Sequence, residues 1–199
     1  MDLALTATYF PHCGLTFAIL FGCPISVEEA IIKRLELATS EAAHPLLMTG
    51  ILAELERTRH VHVVEATIDE LETRIFELDV PSGDMDGIPD AETETRNQEK
   101  RSAWLDTTYL RNGLVSWNTQ LAKIGQHAEE LTETVFQPGH PESESFREID
   151  PDRELVKEKM RRTGHKIKDR IQAIIDEYDD KIRDCTMRVD GMAMATQWV

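Results

Sequence analysis

Cysteine is scarce in this 199-residue chain, and the three that occur form no pattern. Cys13, Cys23 and Cys185 are odd in number and lack a CxxC spacing, which argues against a disulfide framework or a zinc ribbon and favours a reducing compartment. Aromatic residues make up only 6%, low for a β-sandwich. Positive charge is also in short supply: 22 Lys and Arg face 37 Asp and Glu, for a net charge of −15. Phosphate repulsion from such a chain argues against a general nucleic-acid binder. Long apolar runs are missing as well. The most apolar stretch, Leu3 to Ile25, is interrupted by Pro11, His12, Gly14 and Gly22. Neither a secretory signal nor the roughly 20 apolar residues of a membrane span is expected, so the chain as given reads as soluble and cytoplasmic. Catalytic templates are absent too: there is no Gly-rich phosphate loop, GxSxG, HExxH or clustered Cys/His set. An enzyme is the least expected class. No catalytic or cofactor-binding residue is assigned, and the metal ligands stay unknown.

What is present is helical periodicity behind a short β-like start. Leu3 to Phe10 and Leu15 to Phe21 carry β-branched and aromatic residues around a Pro11-His12-Cys13-Gly14 turn, and predict a hairpin. A lone hairpin is marginal in water, so it leans on helices or belongs to a larger sheet. Ser26-Val-Glu-Glu29 has the form of a capping box, predicting a first helix from Ser26 to about Thr39. His44-Pro45 predicts the start of a second, extending to Asp79, with proline where no N–H is needed.

The three long segments show heptad seams. Val61, Val64, Ile68, Leu71, Ile75 and Leu78 alternate steps of three and four. Leu110, Leu114, Trp117, Leu121, Ile124, Ala128, Leu131 and Val135 do the same within a helix from about Glu94 to Val135. Asp150-Pro151 starts the last helix, with a seam of Met160, Gly164, Ile167, Ile171, Ile175, Tyr178, Ile182, Cys185, Val189 and Met192. Its repeated four-step at 167–171–175 predicts a stutter. At about 1.5 Å per residue this helix would reach ~70 Å. The fold class expected is therefore mainly α: three long helices in an elongated antiparallel coiled-coil arrangement, behind a β-hairpin and a short helix. Residues 1–43 form the first part and 44–199 the long-helix part.

Several clusters invite chemistry. His12 beside Cys13, with Cys23 nearby in sequence, suggests a nucleophile and base, but small buried cysteines are commoner. His60 and His62 point to different faces of a helix and cannot chelate one ion. Ser82-x-Asp84-x-Asp86-Gly87 with Asp90 follows the opening of a calcium-binding loop, yet Ser82, Pro89 and Thr93 depart from it and leave a solvated acidic loop. Lys157 to Arg170 carries +5 against −20 for the rest of the chain. Pairing with acidic neighbouring helices or another subunit is favoured over binding of RNA or anionic lipid. The acidic stretch from Asp176 to Asp190 is a solvated face first and a loose divalent-cation binder second.

Three blocks carry a family resemblance. His44-Pro45-Leu46-Leu47 with Ala53-Glu54-Leu55-Glu56-Arg57-Thr58-Arg59-His60 resembles the start of the long helices of fungal CorA-like magnesium transporters. The stretch from Cys185 to Trp198 is similar to the end of their soluble region, and Thr16 to Gly22 to the last strand of their α/β domain. The resemblance spans residues 3–198. It implies an α/β remnant carrying two antiparallel helices and a longer stalk helix, homo-oligomeric assembly through the long helices, and Mg2+ as a regulatory ligand. It also implies a chain truncated before the transmembrane helices, attached to a membrane only through those missing spans, and unable to transport alone. Gly191-Met192-Ala193 is not the family's Gly-Met-Asn, so no pore residue carries over. The alternative is a soluble coiled-coil interaction module with no transport role.

Overall fold

A computed structural model describes residues 3–38, 41–79, 90–137 and 151–197. Two strands, β1 (Ala4–Phe10) and β2 (Leu15–Phe21), are followed by α1 (Ile25–Leu37), α2 (Leu47–Asp79), α3 (Asp90–Glu133) and α4 (Pro151–Gln197). The fold is mainly helical behind a two-stranded antiparallel sheet. The strands pair from Ala4↔Phe21 to Phe10↔Leu15, and the four intervening residues make the turn. Gly14 has φ 61°, a left-handed conformation that glycine adopts without Cβ strain.

The start of α1 differs from the capping-box reading. Pro24 is the N-cap, and no side chain caps the helix. Its extended backbone (φ −73°, ψ 155°) presents the carbonyl oxygen to the N–H groups of Val27 and Glu28, both at 3.0 Å. Ser26 thus already lies inside the first turn, too late to act as the cap. In α2, Pro45 and Leu46 form a turn just ahead of Leu47, and the His44 ring accepts the Leu46 N–H at 3.2 Å. That ring occupies the place of a capping side chain: Pro45 has no N–H, so Leu46 supplies the first orphan donor.

The described residues divide into two compact units. The first comprises Met1–Arg57 and Gln120–Ile175, and the second comprises Thr58–Thr119 and Asp176–Val199. The hairpin and α1 thus share a unit with parts of all three long helices.

Within the first unit, Arg170 on α4 pairs with Glu54 on α2, and Lys168 donates to Glu129 on α3 at 2.5 Å. In the second unit, Lys181 pairs with Glu65 on α2, and Asn118 on α3 donates to Asp179 at 2.7 Å. Within the second unit Glu65–Lys181 and Glu72–Arg188 keep the same offset of 116 residues. Within the first, Gly50 faces Ile167 just ahead of the Glu54–Arg170 pair, so α2 runs parallel to α4 in each. Within the first unit Gly125 faces Ile171, Glu129 meets Lys168 and Thr132 faces Gly164, so α3 runs antiparallel to α4 there. Consecutive long helices alternate in direction, as expected.

The α4 seam is regular where a stutter was expected. Met160, Ile167 and Ile174 recur every seven residues and are buried, as are Gly164, Ile171, Tyr178 and Cys185. Ile174 is 1% exposed, whereas Ile175 is only half-buried. Two adjacent isoleucines have equal hydrophobicity, but only the first keeps the three–four alternation. The irregularity lies further on. One and two heptads beyond Ile174 stand Lys181 and Arg188, whose heads reach Glu65 and Glu72, while Val189 is buried in place of Arg188. On α3 the buried stripe also includes Ala103 and Thr107, neither of which was expected. Thr107 is tolerated because its hydroxyl donates to the Ala103 carbonyl at 2.8 Å.

This register makes a direct prediction for chemical denaturation. Ile174→Ala should cost about 2–5 kcal/mol through lost burial and a residual cavity. Ile175→Ala should cost about 1 kcal/mol, and equal losses at the two positions would contradict the observed seam.

Candidate functional site

The proposed nucleophile and base do not come together as a set. Cys13 and His12 are exposed in the hairpin turn, while Cys23 follows β2 at the hairpin's opposite end. Across six residue steps of strand that separation is about 20 Å. Cys185 is fully buried, and desolvation pushes its thiol pKa up, so it is a core residue. The loop containing Ser82, Asp84, Asp86 and Gly87 lies outside the described residues, as do residues 138–150 beyond α3.

His60 and His62 do face different ways: His62 is exposed, and His60 is half-buried in the second unit. The His60 ring lies 5.4 Å from Trp117, edge to face, and its Nδ1 shares a 3.1 Å hydrogen bond with the Tyr178 hydroxyl. The Arg59 guanidinium lies 2.9 Å from Nε2. A guanidinium can only donate, so Nε2 accepts and the ring proton sits on Nδ1, directed at the Tyr178 oxygen. Both ring nitrogens are engaged, which makes His60 a packing and hydrogen-bonding element of the core. Tyr178 is fully buried, so this bond satisfies a phenol that seam position would otherwise desolvate.

The most unusual polar site lies in the first unit, where the hairpin, the start of α2, the end of α3 and α4 converge on His44. The imidazole is 1% exposed and stacks obliquely against Phe136 at 5.4 Å. Phe136 in turn meets Tyr9 of β1 edge to face at 5.9 Å, and the Thr16 hydroxyl donates to the Ala43 carbonyl. Because Nδ1 accepts from the backbone, the neutral ring carries its proton on Nε2. That nitrogen is buried and has no hydrogen-bond partner among the described residues. It reaches this position because α4 has Gly164 opposite: a Cβ there would lie 3.3 Å from Nε2 and 2.6 Å from the Thr132 hydroxyl oxygen. Burial lowers the His44 pKa to about 4, keeping it neutral. Periodicity had placed Gly164 in the seam but gave no sign of His44 against it, because His44 lies ahead of α2.

The basic stretch of α4 is largely neutralised. Lys157 pairs with Glu154, and both Arg161 and Arg162 pair with Glu158, holding its carboxyl below the usual carboxylate range. Lys166 reaches Glu41, Lys168 reaches Glu129, and Arg170 forks onto both oxygens of Glu54. Part of the acidic stretch is likewise engaged, Asp179 by Asn118 and Asp180 by Arg183. Among the described residues no group of three or more His, Cys, Asp or Glu side chains is arranged to hold a metal ion.

No family model, curated protein or solved structure matches the chain. The site geometry therefore stands by itself. It provides a buried neutral imidazole at a junction of elements and cross-helix ion pairs that fix register.

Two stability measurements test the His44 junction. The folded-state pKa lies below the ordinary value of 6.5, so the unfolded chain binds the extra proton first. The contribution of neutral His44 is complete above about pH 6.5 and is lost as pH falls through 4, on the order of 3 kcal/mol. His44→Gln should flatten that part of the pH–stability profile relative to the parent; parallel profiles would contradict burial of a neutral ring. Gly164→Ala should destabilise by about 1–3 kcal/mol through overpacking. Gly113→Ala, on an exposed turn of α3 where a Cβ meets nothing within 4 Å, should stabilise by about 0.5–1 kcal/mol.

Proposed function

We propose that this chain is the soluble helical portion of a CorA-like cation transporter, unable to conduct ions by itself. The observation that carries the reading is the order and direction of the elements. A two-stranded sheet and a short helix precede two oppositely directed long helices and a third, longest helix of 47 residues. That is the order the sequence resemblance implies, and the His44-Pro45-Leu46-Leu47 block lies where the hairpin, α2 and α4 converge. No described helix is long and apolar enough to cross a membrane, so the role assigned to this region is cation response and assembly. Magnesium is the regulatory ligand, taken up as a hard cation by carboxylate oxygens and water. Assembly through the long helices forms part of the same reading.

A helical interaction module with no transport role is the second reading. It draws on the apolar side chains that α3 leaves in water, Leu105, Tyr109 and Val115, which lie within about three turns and about 120° of arc of one another.

The two readings separate on magnesium. Thermal unfolding is followed across a millimolar MgCl2 titration, beside NaCl at matched ionic strength to account for screening of the −15 charge. At ten times Kd the transporter reading predicts about 1.4 kcal/mol of added stability, a rise in Tm of several degrees beyond the NaCl control. Identical curves in the two salts would contradict cation response and favour the interaction module.

A further inference from the structure

The hairpin has two faces of opposite character. Leu5, Tyr9, Thr16, Ala18 and Leu20 point inward and are partly covered, with Tyr9 on Phe136 and Thr16 on the Ala43 carbonyl. The other face is apolar and open: Phe10, Leu15, Phe17, Ile19 and Phe21 are 40–57% exposed. The strand register makes them one patch. Phe10 faces Leu15, and Phe17, Ile19 and Phe21 lie opposite Thr8, Thr6 and Ala4. Alternation along each strand puts all of these on the same side.

We propose that this outer face is where a second copy of the chain docks, sheet face against sheet face. The inference does not depend on the transporter reading. Two arguments select a second copy as the occupant. The first is charge. From Leu3 to Val27 no Asp, Glu, Lys or Arg occurs, in a chain whose net charge is −15. Two such chains repel one another over most of their surface, and this face lets them meet without placing like charges together. The second is area. Three half-exposed phenylalanines present on the order of 300 Å2, and Leu15 with Ile19 raise the patch to about 450 Å2. Two copies would bury ~900 Å2 in total, within the range of weak specific interfaces below about 1,200 Å2. Face-to-face contact at about 10 Å covers all five side chains, whereas pairing strand edges would leave them in water. The geometry therefore assigns a weak, concentration-dependent dimer.

Sedimentation equilibrium of the full chain from about 1 µM to about 1 mM tests this, since weak interfaces of this size dissociate in that range. The parent should pass from monomer to dimer. Phe17→Glu combined with Ile19→Glu, both facing outward, should remain monomeric with unchanged helix content. Tyr109→Glu, an exposed aromatic in the other unit, should dimerise like the parent. Fluorine NMR of parent protein carrying fluorophenylalanine gives a readout free of folding effects from the charge substitutions. The Phe10, Phe17 and Phe21 resonances should shift with concentration while that of buried Phe136 stays fixed. A parent that stays monomeric throughout overturns the proposal. So does an oligomer that survives the double substitution, or one that leaves the three outward phenylalanine resonances unmoved.

Discussion

One helix can organise two others only if its buried positions recur every seven residues, and α4 meets that condition from Met160 to Tyr178. Met160, Ile167 and Ile174 form one file, with Gly164, Ile171, Tyr178 and Cys185 beside it. In the first unit the glycines record how closely the helices approach this surface. A Cβ at Gly50 on α2 would lie 3.5 Å from Ile167, and one at Gly125 on α3 would lie 3.9 Å from Ile171. Van der Waals contact of this kind fixes axial position better than charge does, because a slip of one residue rotates every side chain by about 100° away from its hole.

The ion pairs follow from that register. Their exposed positions limit each to a few tenths of a kcal/mol up to about 1 kcal/mol. Their repeated 116-residue offset nevertheless discriminates between registers, since a slipped helix would bring Arg170, Lys181 and Arg188 to the wrong partners. The same logic explains the uneven charge of the chain. The +5 stretch of α4 is distributed among Glu41, Glu54, Glu129, Glu154 and Glu158, so its charge is spent largely within the protein. Farther along α4, Lys181 and Arg188 stand at heptad positions where an aliphatic residue would be buried, and their heads pair outside the apolar seam.

Much of this was legible in the sequence, and the gaps have physical causes. The hairpin register followed from a four-residue turn between two β-branched runs, and the long helices followed from steps of three and four. The choice between Ile174 and Ile175 was not legible, because both suit a buried site and only the neighbouring helices decide. Ala103 and Thr107 were missed for a related reason: small or hydroxylated side chains carry little hydrophobic signal, yet they fit where helices approach closely. Ser26 looked like a cap, but Pro24 starts the helix earlier by fixing an extended backbone. The role of His44 depends on residues 88 and 120 positions away, Thr132 and Gly164, and no local pattern encodes that meeting. The ionic partners of the basic stretch were foreseen as a class, whereas their identities required the register.

The central claim is that α2 runs parallel and α3 antiparallel to α4 at the observed registers. Pulsed electron–electron resonance with spin labels at Glu65 and Lys181, and separately at Glu129 and Lys168, tests it most directly, with the native cysteines replaced. Both pairs should give a narrow distance distribution below about 20 Å. A slip of two heptads adds about 20 Å along the axis, and reversing α3 about its midpoint would carry position 129 about 50 Å, so a main distance beyond about 25 Å at either pair would contradict the account.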